Sequence, residues 1–113
     1  MLARAYRLKA KDFKNVKTKG GLYRSVYFGT IVLKRRDTDP SRFGCIVSKN
    51  VSKLSTQRNQ IKRAIMDGIR QNFNQIPQGF DCIFLPKRSM VGKSGDEIKK
   101  DIGAFVKKLT QNL

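Results

Sequence analysis

Residues Ser55–Phe73 read STQRNQIKRAIMDGIRQNF, and their spacing predicts a single helix with a basic opening segment. At about 100° per residue, Ile61, Ile65, Ile69 and Phe73 follow one another at i, i+4 and make one apolar stripe that must bury against a sheet. Arg63 and Arg70 point away from that stripe, with Asn59 beside them. Arg58 and Lys62 lie near its edge at the amino end, where a long side chain reaches past the core. Ser55 or Thr56 is the expected N-cap, and Pro77 bounds the helix downstream. Asp67 is the only carboxylate of the stretch, so the four cations cannot be neutralised by pairs along the helix itself. A charged helix face is ordinarily just solvated; this one requires an anion from outside the chain.

The whole sequence repeats the imbalance. Its 113 residues hold 25 Lys and Arg against 8 Asp and Glu, a net charge of +17 with no histidine. The length suits one domain spanning residues 1–113 around one core. Self-repulsion on this scale is kept for a polyanion, nucleic acid before an anionic membrane. No run of 18 apolar residues exists, and no apolar segment near the start precedes a small-residue cleavage site. The expectation is a cytoplasmic protein with no membrane partner. Cys45 and Cys82 sit in apolar, strand-like runs as small hydrophobes; two cysteines make neither a disulfide framework nor a four-ligand metal site.

Outward from the helix, RFGCIVSK (residues 42–49) is the preceding strand, with Phe43, Cys45 and Val47 on one face and Gly44, Ile46 and Ser48 on the other. Lys49 closes it and Lys53 follows in the loop, both near the amino end of the helix, where unpaired N–H groups favour phosphate. The polar run Arg35–Arg42, with Asp39-Pro40, is a turn. Leu22–Arg36 is a long strand or a bent pair of strands, with Gly29 as the candidate bulge. KAKDFKNVK (residues 9–17) is a short helix with Phe13 and Val16 on one side, stopped by Gly20 and Gly21, and the basic segment 1–8 before it is expected to fray. A lone aromatic on such a helix is ordinarily core, but Phe13 is flanked by Lys11, Lys14 and Lys17, as a single-strand stacking surface requires.

On the carboxyl side, IPQGF is a turn and DCIFLPK a nearly continuous apolar strand suited to a central position, with Pro86 at its end or on an edge. KRSMVGKS is a basic loop. Ser94 and Glu97 open the last helix at capping-box spacing, and Ile98, Ile102, Phe105, Val106 and Leu109 recur along it. The order helix, strands, helix, strand, helix describes an α+β domain with a mixed sheet.

Catalytic residues are not visible. A protein nuclease needs clustered carboxylates for metal ions or a histidine for proton transfer; the eight acids are scattered and His is absent. No Gly-rich phosphate loop is present, and Cys45 lacks the base that would activate it as a nucleophile. No catalytic residue and no metal ligand is assigned.

QRNQIKR (residues 57–63) resembles the RNR motif of the bacterial ribonuclease P protein subunit, commonly written R-N-R-x-x-K-R or R-N-R-x-K-R. RFGCIVSK resembles the strand that precedes that motif in the family, PQGFDCIFLPK the P-x-G-Y/F-D strand that follows it, and YRLKAKDFKNV the family's opening R-L…D-F. Each motif alone is weak; four in register over nearly all 113 residues are specific. The resemblance implies a left-handed βαβ crossover around the basic helix. It also implies a protein that binds a catalytic RNA and the 5′ leader of precursor tRNA, while the RNA cleaves with Mg²⁺. The protein subunit itself would be non-catalytic, without a cofactor of its own, and monomeric apart from the ribonucleoprotein.

By position, the motif carries over to Arg58, Asn59, Lys62 and Arg63 as RNA-binding residues, joined by Lys49, Lys53 and Arg70. The family's third motif arginine is Gln60 here and the arginine one turn later is Met66, departures that imply a weaker or re-routed contact for which Arg70 compensates. The loop before Arg58 is one residue longer than usual. Phe13 matches the first aromatic of the family's leader-binding cleft, and Lys17 stands in place of the second, favouring a phosphate contact over a stacked base. The alternative is a ribosomal or ribosome-assembly RNA-binding protein with the same basic helix. A helix-turn-helix DNA reader would need two short successive helices, whereas strands flank this one.

Overall fold

The computed structural model describes residues 3–111, in which three helices pack on one four-stranded sheet. Helix α1 (Ala10–Lys19) leads to strands β1 (Gly21–Arg24), β2 (Phe28–Lys34) and β3 (Arg42–Cys45), then helix α2 (Ser55–Gln71), strand β4 (Phe80–Pro86) and helix α3 (Gly95–Thr110). The sheet order is β1-β2-β4-β3; β2 runs antiparallel to both neighbours, and β3 is parallel to β4. A parallel pair needs a crossover, and α2 supplies it. The apolar β4 is central, as its sequence requires, with Pro86 at its end.

One face of the sheet carries most of the core. Ile61, Ile65 and Ile69 of α2 and Ile98, Ile102, Phe105 and Leu109 of α3 bury against Phe28, Phe43 and Phe84. The rings of Phe28 and Phe84 lie 5.1 Å apart, and those of Phe84 and Phe105 5.3 Å apart in a T-shaped contact. Gly68 sets how closely the two helices approach, because a Cβ there would stand 2.5 Å from Ile102 Cδ1. The other face holds a smaller cluster of Leu8, Val16 and Ile83 beneath α1.

Several local expectations are corrected. The N-cap of α2 is Leu54 rather than Ser55 or Thr56, and no side chain caps it; the nearby hydroxyl of Ser52 instead accepts from Leu54 N at 3.2 Å. The helix stops at Gln71, where Asn72 Nδ2 donates to Gly68 O at 2.8 Å, so Phe73 lies beyond it in a 3-10 turn (Phe73–Gln75). Leu22–Arg36 is the bent pair, and Gly29 is no bulge: it pairs with Arg24 in regular register. The strand of residues 42–49 ends at Cys45, so Lys49 belongs to the following loop. Of the segment 1–8 expected to fray, Tyr6 and Leu8 touch the domain, while Ala3, Arg4, Ala5 and Arg7 are exposed. Leu8 is buried, its N–H donates to Phe43 O at 2.9 Å, and the Tyr6 ring meets Phe73 at 4.5 Å. The remaining two residues lie outside the described range.

One buried charge ties these elements together. Asp81, 2% exposed at the start of β4, accepts from Arg42 Nε at 2.9 Å and Nη2 at 2.7 Å, and from Arg35 Nη1. Arg35 also donates to Asp39 O and Pro40 O, both at 2.9 Å, which shapes the turn between β2 and β3, while Arg42 Nη1 reaches Asp12 of α1 at 3.1 Å. Both guanidinium groups are held above their ordinary pKa. For Arg42 the leading cause is its bonds to Asp81; for Arg35 its bonds to Asp37 and Asp81 outweigh the opposing effect of burial. Breaking a buried pair by removing one partner leaves the other charge uncompensated. Asp81→Ala should therefore cost about 3 to 5 kcal/mol in urea unfolding, whereas Asp67→Ala, which breaks an exposed pair with Arg70 at 3.7 Å, should cost under about 1 kcal/mol. Equal, small losses would contradict this assignment.

Candidate nucleic-acid interface

Helix α2 is anchored by its isoleucines, and its outward face carries the motif. Asn59, Gln60, Lys62 and Arg63 are exposed. Neither Lys62 nor Arg63 makes an ion pair or side-chain hydrogen bond among the described residues, in contrast with Arg70, which has Asp67. Arg58 is different: its Nη1 donates to Ser52 O and Lys53 O, each at 3.0 Å. Met66, at the position of a family arginine, is half-buried against the core and takes no part in this face. Gln60 and Arg63 border a shallow groove with Asp67 and Asp96 at the start of α3.

Lys49 and Lys53 are exposed in the loop that leads to the amino end of α2. That end has no side-chain cap and no acidic residue in its first turn. Its partial positive charge is therefore unopposed, the electrostatic arrangement that suits phosphate.

The sheet's other face presents α1. The Phe13 ring is half-buried and lies directly on Gly44, where an added Cβ would come within 2.4 Å of its Cζ. Phe13 therefore packs as part of the second cluster, while Lys11, Lys14 and Lys17 stay exposed around it. Successive residues of a strand face opposite sides. Gly44 lies under Phe13, and its neighbour Cys45 packs on the opposite face against the core that holds the α2 isoleucines. The edge strand β3 thus brings the α1 surface and the α2 surface to one border of the sheet, a juxtaposition that motif spacing does not reveal.

The acids are largely engaged elsewhere. Asp12, Asp37, Asp67 and Asp81 pair with arginines, Glu97 accepts from Tyr27 Oη at 2.9 Å, and Asp101 accepts from Ser25 Oγ at 2.6 Å. No lysine makes an ion pair among the described residues. Nor, among those residues, does any group of three His, Cys, Asp or Glu side chains come together as metal ligands. No described helix is long and apolar enough to cross a membrane.

A basic helix fixed from behind, with a lysine-ringed aromatic across the edge strand, defines a nucleic-acid-binding α+β module. The family model described as Ribonuclease P matches residues 2–110. Relatives named ribonuclease P protein component include one from Clostridioides difficile, 34% identical over 88% of this chain and 87% of its own length. Another, from Synechocystis, is 34% identical over 89% and 82%. A solved Staphylococcus aureus RNase P protein aligns with a TM-score of 0.79 at 26% identity, covering 96% of this chain and 97% of that one. The Thermotoga maritima RNase P protein gives 0.81 at 24% identity, covering 90% and 96%, a likeness of fold. The chain belongs to the ribonuclease P protein family, the protein component of a ribonucleoprotein endonuclease with a role in tRNA 5′ processing. The ribosomal alternative finds no support in these matches.

Cys45 is the more accessible of the two free thiols, Cys82 being buried. Burial pushes the Cys45 pKa up to about 12, against the opposing pull of Lys62. Only the thiolate alkylates, so at pH 8 iodoacetamide should react with Cys45 on the order of a thousandfold more slowly than with a free cysteine of pKa about 8.5. The rate should still be rising at pH 10; a plateau above pH 9 would contradict the burial argument.

Proposed function

We propose that the outward face of α2 holds the catalytic RNA of ribonuclease P. The single observation that carries this reading is that Lys62 and Arg63 stand without an acidic partner among the described residues, on a helix whose opposite side is locked into the core. Asn59 lies between the two phosphate-facing groups, and Lys49 and Lys53 add charge beside the open amino end of α2. Arg70 contributes from the far end of the helix through a weak, exposed pair that a phosphate can displace. Arg58 completes the motif through the loop it binds.

On the other side of β3, Phe13 and Lys17 of α1 receive the 5′ leader of precursor tRNA. Lys17, one turn after Phe13, meets a phosphate where a second aromatic would stack, and the half-buried Phe13 offers only the free part of its ring. The chain works as a monomer within the ribonucleoprotein, in the cytoplasm. It supplies positive charge and positioning, while the RNA with its Mg²⁺ performs the hydrolysis. Residue chemistry supports this division: the protein has no histidine, and most of its carboxylates are engaged by arginine, tyrosine or serine.

Processing of a 5′-labelled precursor tRNA by protein alone, RNA alone and both together across a Mg²⁺ series tests this division of labour. Protein alone should give no cleavage, and its addition to the RNA should lower the Mg²⁺ required, most at physiological salt, because the protein's cations offset repulsion between two polyanions. Site-specific cleavage by protein alone, or an unchanged Mg²⁺ requirement, would overturn it. Phe13→Ala should weaken binding of precursor with a leader by about 1 kcal/mol, the low end for a base stacked on one partly covered ring, while mature tRNA is unaffected. Equal loss for both ligands would make Phe13 purely a core residue.

A further inference from the structure

The loop between β3 and α2 is held from two directions by arginines. Arg58, one turn into α2, places Nη1 between Ser52 O and Lys53 O at 3.0 Å each. Arg88, in the 3-10 turn after β4 (Arg88–Met90), donates from Nε to Asn50 O at 2.5 Å. Inside the loop, Val51 N donates to Ser48 O at 3.1 Å, and the buried Ser52 hydroxyl accepts from Leu54 N and donates to Gln57 Oε1. The carbonyls of Asn50, Ser52 and Lys53 are thus turned inward onto guanidinium groups, while the Lys49, Lys53 and Leu54 side chains are turned out, Leu54 being 64% exposed.

The sequence of this loop, SKNVSKL, contains neither glycine nor proline, and its local bonds, Val51 N to Ser48 O and Leu54 N to the Ser52 hydroxyl, leave the carbonyls of Asn50, Ser52 and Lys53 without a constraint from within the loop. The two arginines supply that constraint. With Nη1 committed to two carbonyls, the guanidinium keeps only its Nε–Nη2 edge for an anion, and the loop rather than a phosphate sets its orientation. Arg63, one and a half turns further along the same helix, has no such commitment among the described residues.

We propose that the Ser48–Leu54 loop is a preformed RNA-contacting element, and that Arg58 and Arg88 are positioning residues which serve binding by holding Lys49 and Lys53 in place rather than by meeting phosphates themselves. This rests on the reading of the α2 side as the RNA-facing surface. It changes the role of the first motif arginine: Arg58 acts through Lys53, and the direct contacts fall to Lys53, Lys62 and Arg63. Ordering the loop before RNA arrives removes an entropy cost from the binding step.

The experiment is a double-mutant cycle on affinity for the catalytic RNA over a salt series, using Arg58→Ala, Lys53→Ala and the pair, with Arg63→Ala as the comparison. Arg58→Ala and Lys53→Ala should each weaken binding roughly fivefold, and the double variant little more than either, because the second change removes a contact already lost. Lys53→Ala and Arg63→Ala should instead multiply. Amide exchange at Val51 and Leu54 should accelerate in Arg58→Ala and Arg88→Ala and stay unchanged in Arg63→Ala. Arg58→citrulline, which keeps an N–H₂ donor for the carbonyls and removes the charge, should bind within about twofold of the parent; it also serves if Arg58→Ala fails to fold. Multiplicative losses for Arg58 and Lys53, with loop exchange unaltered, would overturn the proposal and make Arg58 a phosphate contact. A citrulline variant as weak as Arg63→Ala would do the same. If Arg63→Ala and Lys53→Ala both leave affinity and salt slope untouched, the reading of this surface fails, a result distinct from failure of the positioning role.

Discussion

The buried carboxylate of Asp81 is the constraint on which the rest of the architecture depends. It sits at the start of the central strand, where water is excluded, and two guanidinium groups converge on its oxygens. A lone carboxylate there would be prohibitively unfavourable; with Arg42 bonded side-on through two nitrogens and Arg35 completing the set, the lone pairs are met. Because Arg35 follows β2, Arg42 opens β3 and Arg42 extends to Asp12 on α1, a single residue fixes three strands and one helix relative to one another. The parallel placement of β3 beside β4, and with it the path of α2 over the sheet, is held at this corner.

The same network determines where the charge goes. A chain with 25 basic and 8 acidic residues has too few acids to neutralise its surface, and here Asp12, Asp37 and Asp81 are all engaged by just two arginines. Tyr27 and Ser25 take Glu97 and Asp101 at the hairpin between β1 and β2, fixing it to α3. What is left on the outward side of α2, in the loop before it and around α1 is cationic with few local counter-charges. Structural ion pairing and the free cations are thereby separated: acids hold the fold at its corners, and Lys49, Lys53, Lys62 and Arg63 face solvent. Flexible ammonium groups with no acidic partner among the described residues lose little when a phosphate replaces their counterions.

Much of this was legible in the residues. Ile61, Ile65 and Ile69 mark the buried stripe of α2, the apolar run from Cys82 to Leu85 marks a central strand, and Ser94 with Glu97 marks the start of α3, whose cap the hydroxyl makes as expected. What escaped depends on contacts between distant segments. That Arg35 and Arg42 pair with a buried carboxylate rather than staying in a polar turn becomes visible only once β4 lies between them, although an aspartate opening an apolar strand was a hint that a partner was needed. Phe73 leaves the helix because Asn72 caps it, and it finds Tyr6 from the amino-terminal segment. Ser52 with Gln57 displaced the expected cap, and Arg58, counted with the free cations, is bound to backbone carbonyls. In each case a polar side chain with two available roles took the local one, and helical periodicity cannot distinguish between them.

The proposed function lies on the two surfaces that meet at the edge strand β3, where the described residues leave basic side chains without acidic partners. Nuclear magnetic resonance of labelled protein, titrated first with the catalytic RNA and then with a short 5′ leader, tests this most directly. The RNA should shift the Lys62 Nζ and Arg63 Nε signals together with the backbone amides of residues 48–63, and the leader should then perturb Phe13, Lys17 and Gly44 on the opposite face. RNA binding that leaves Lys62 and Arg63 unperturbed, or a leader that moves only the α2 signals, would contradict the assignment.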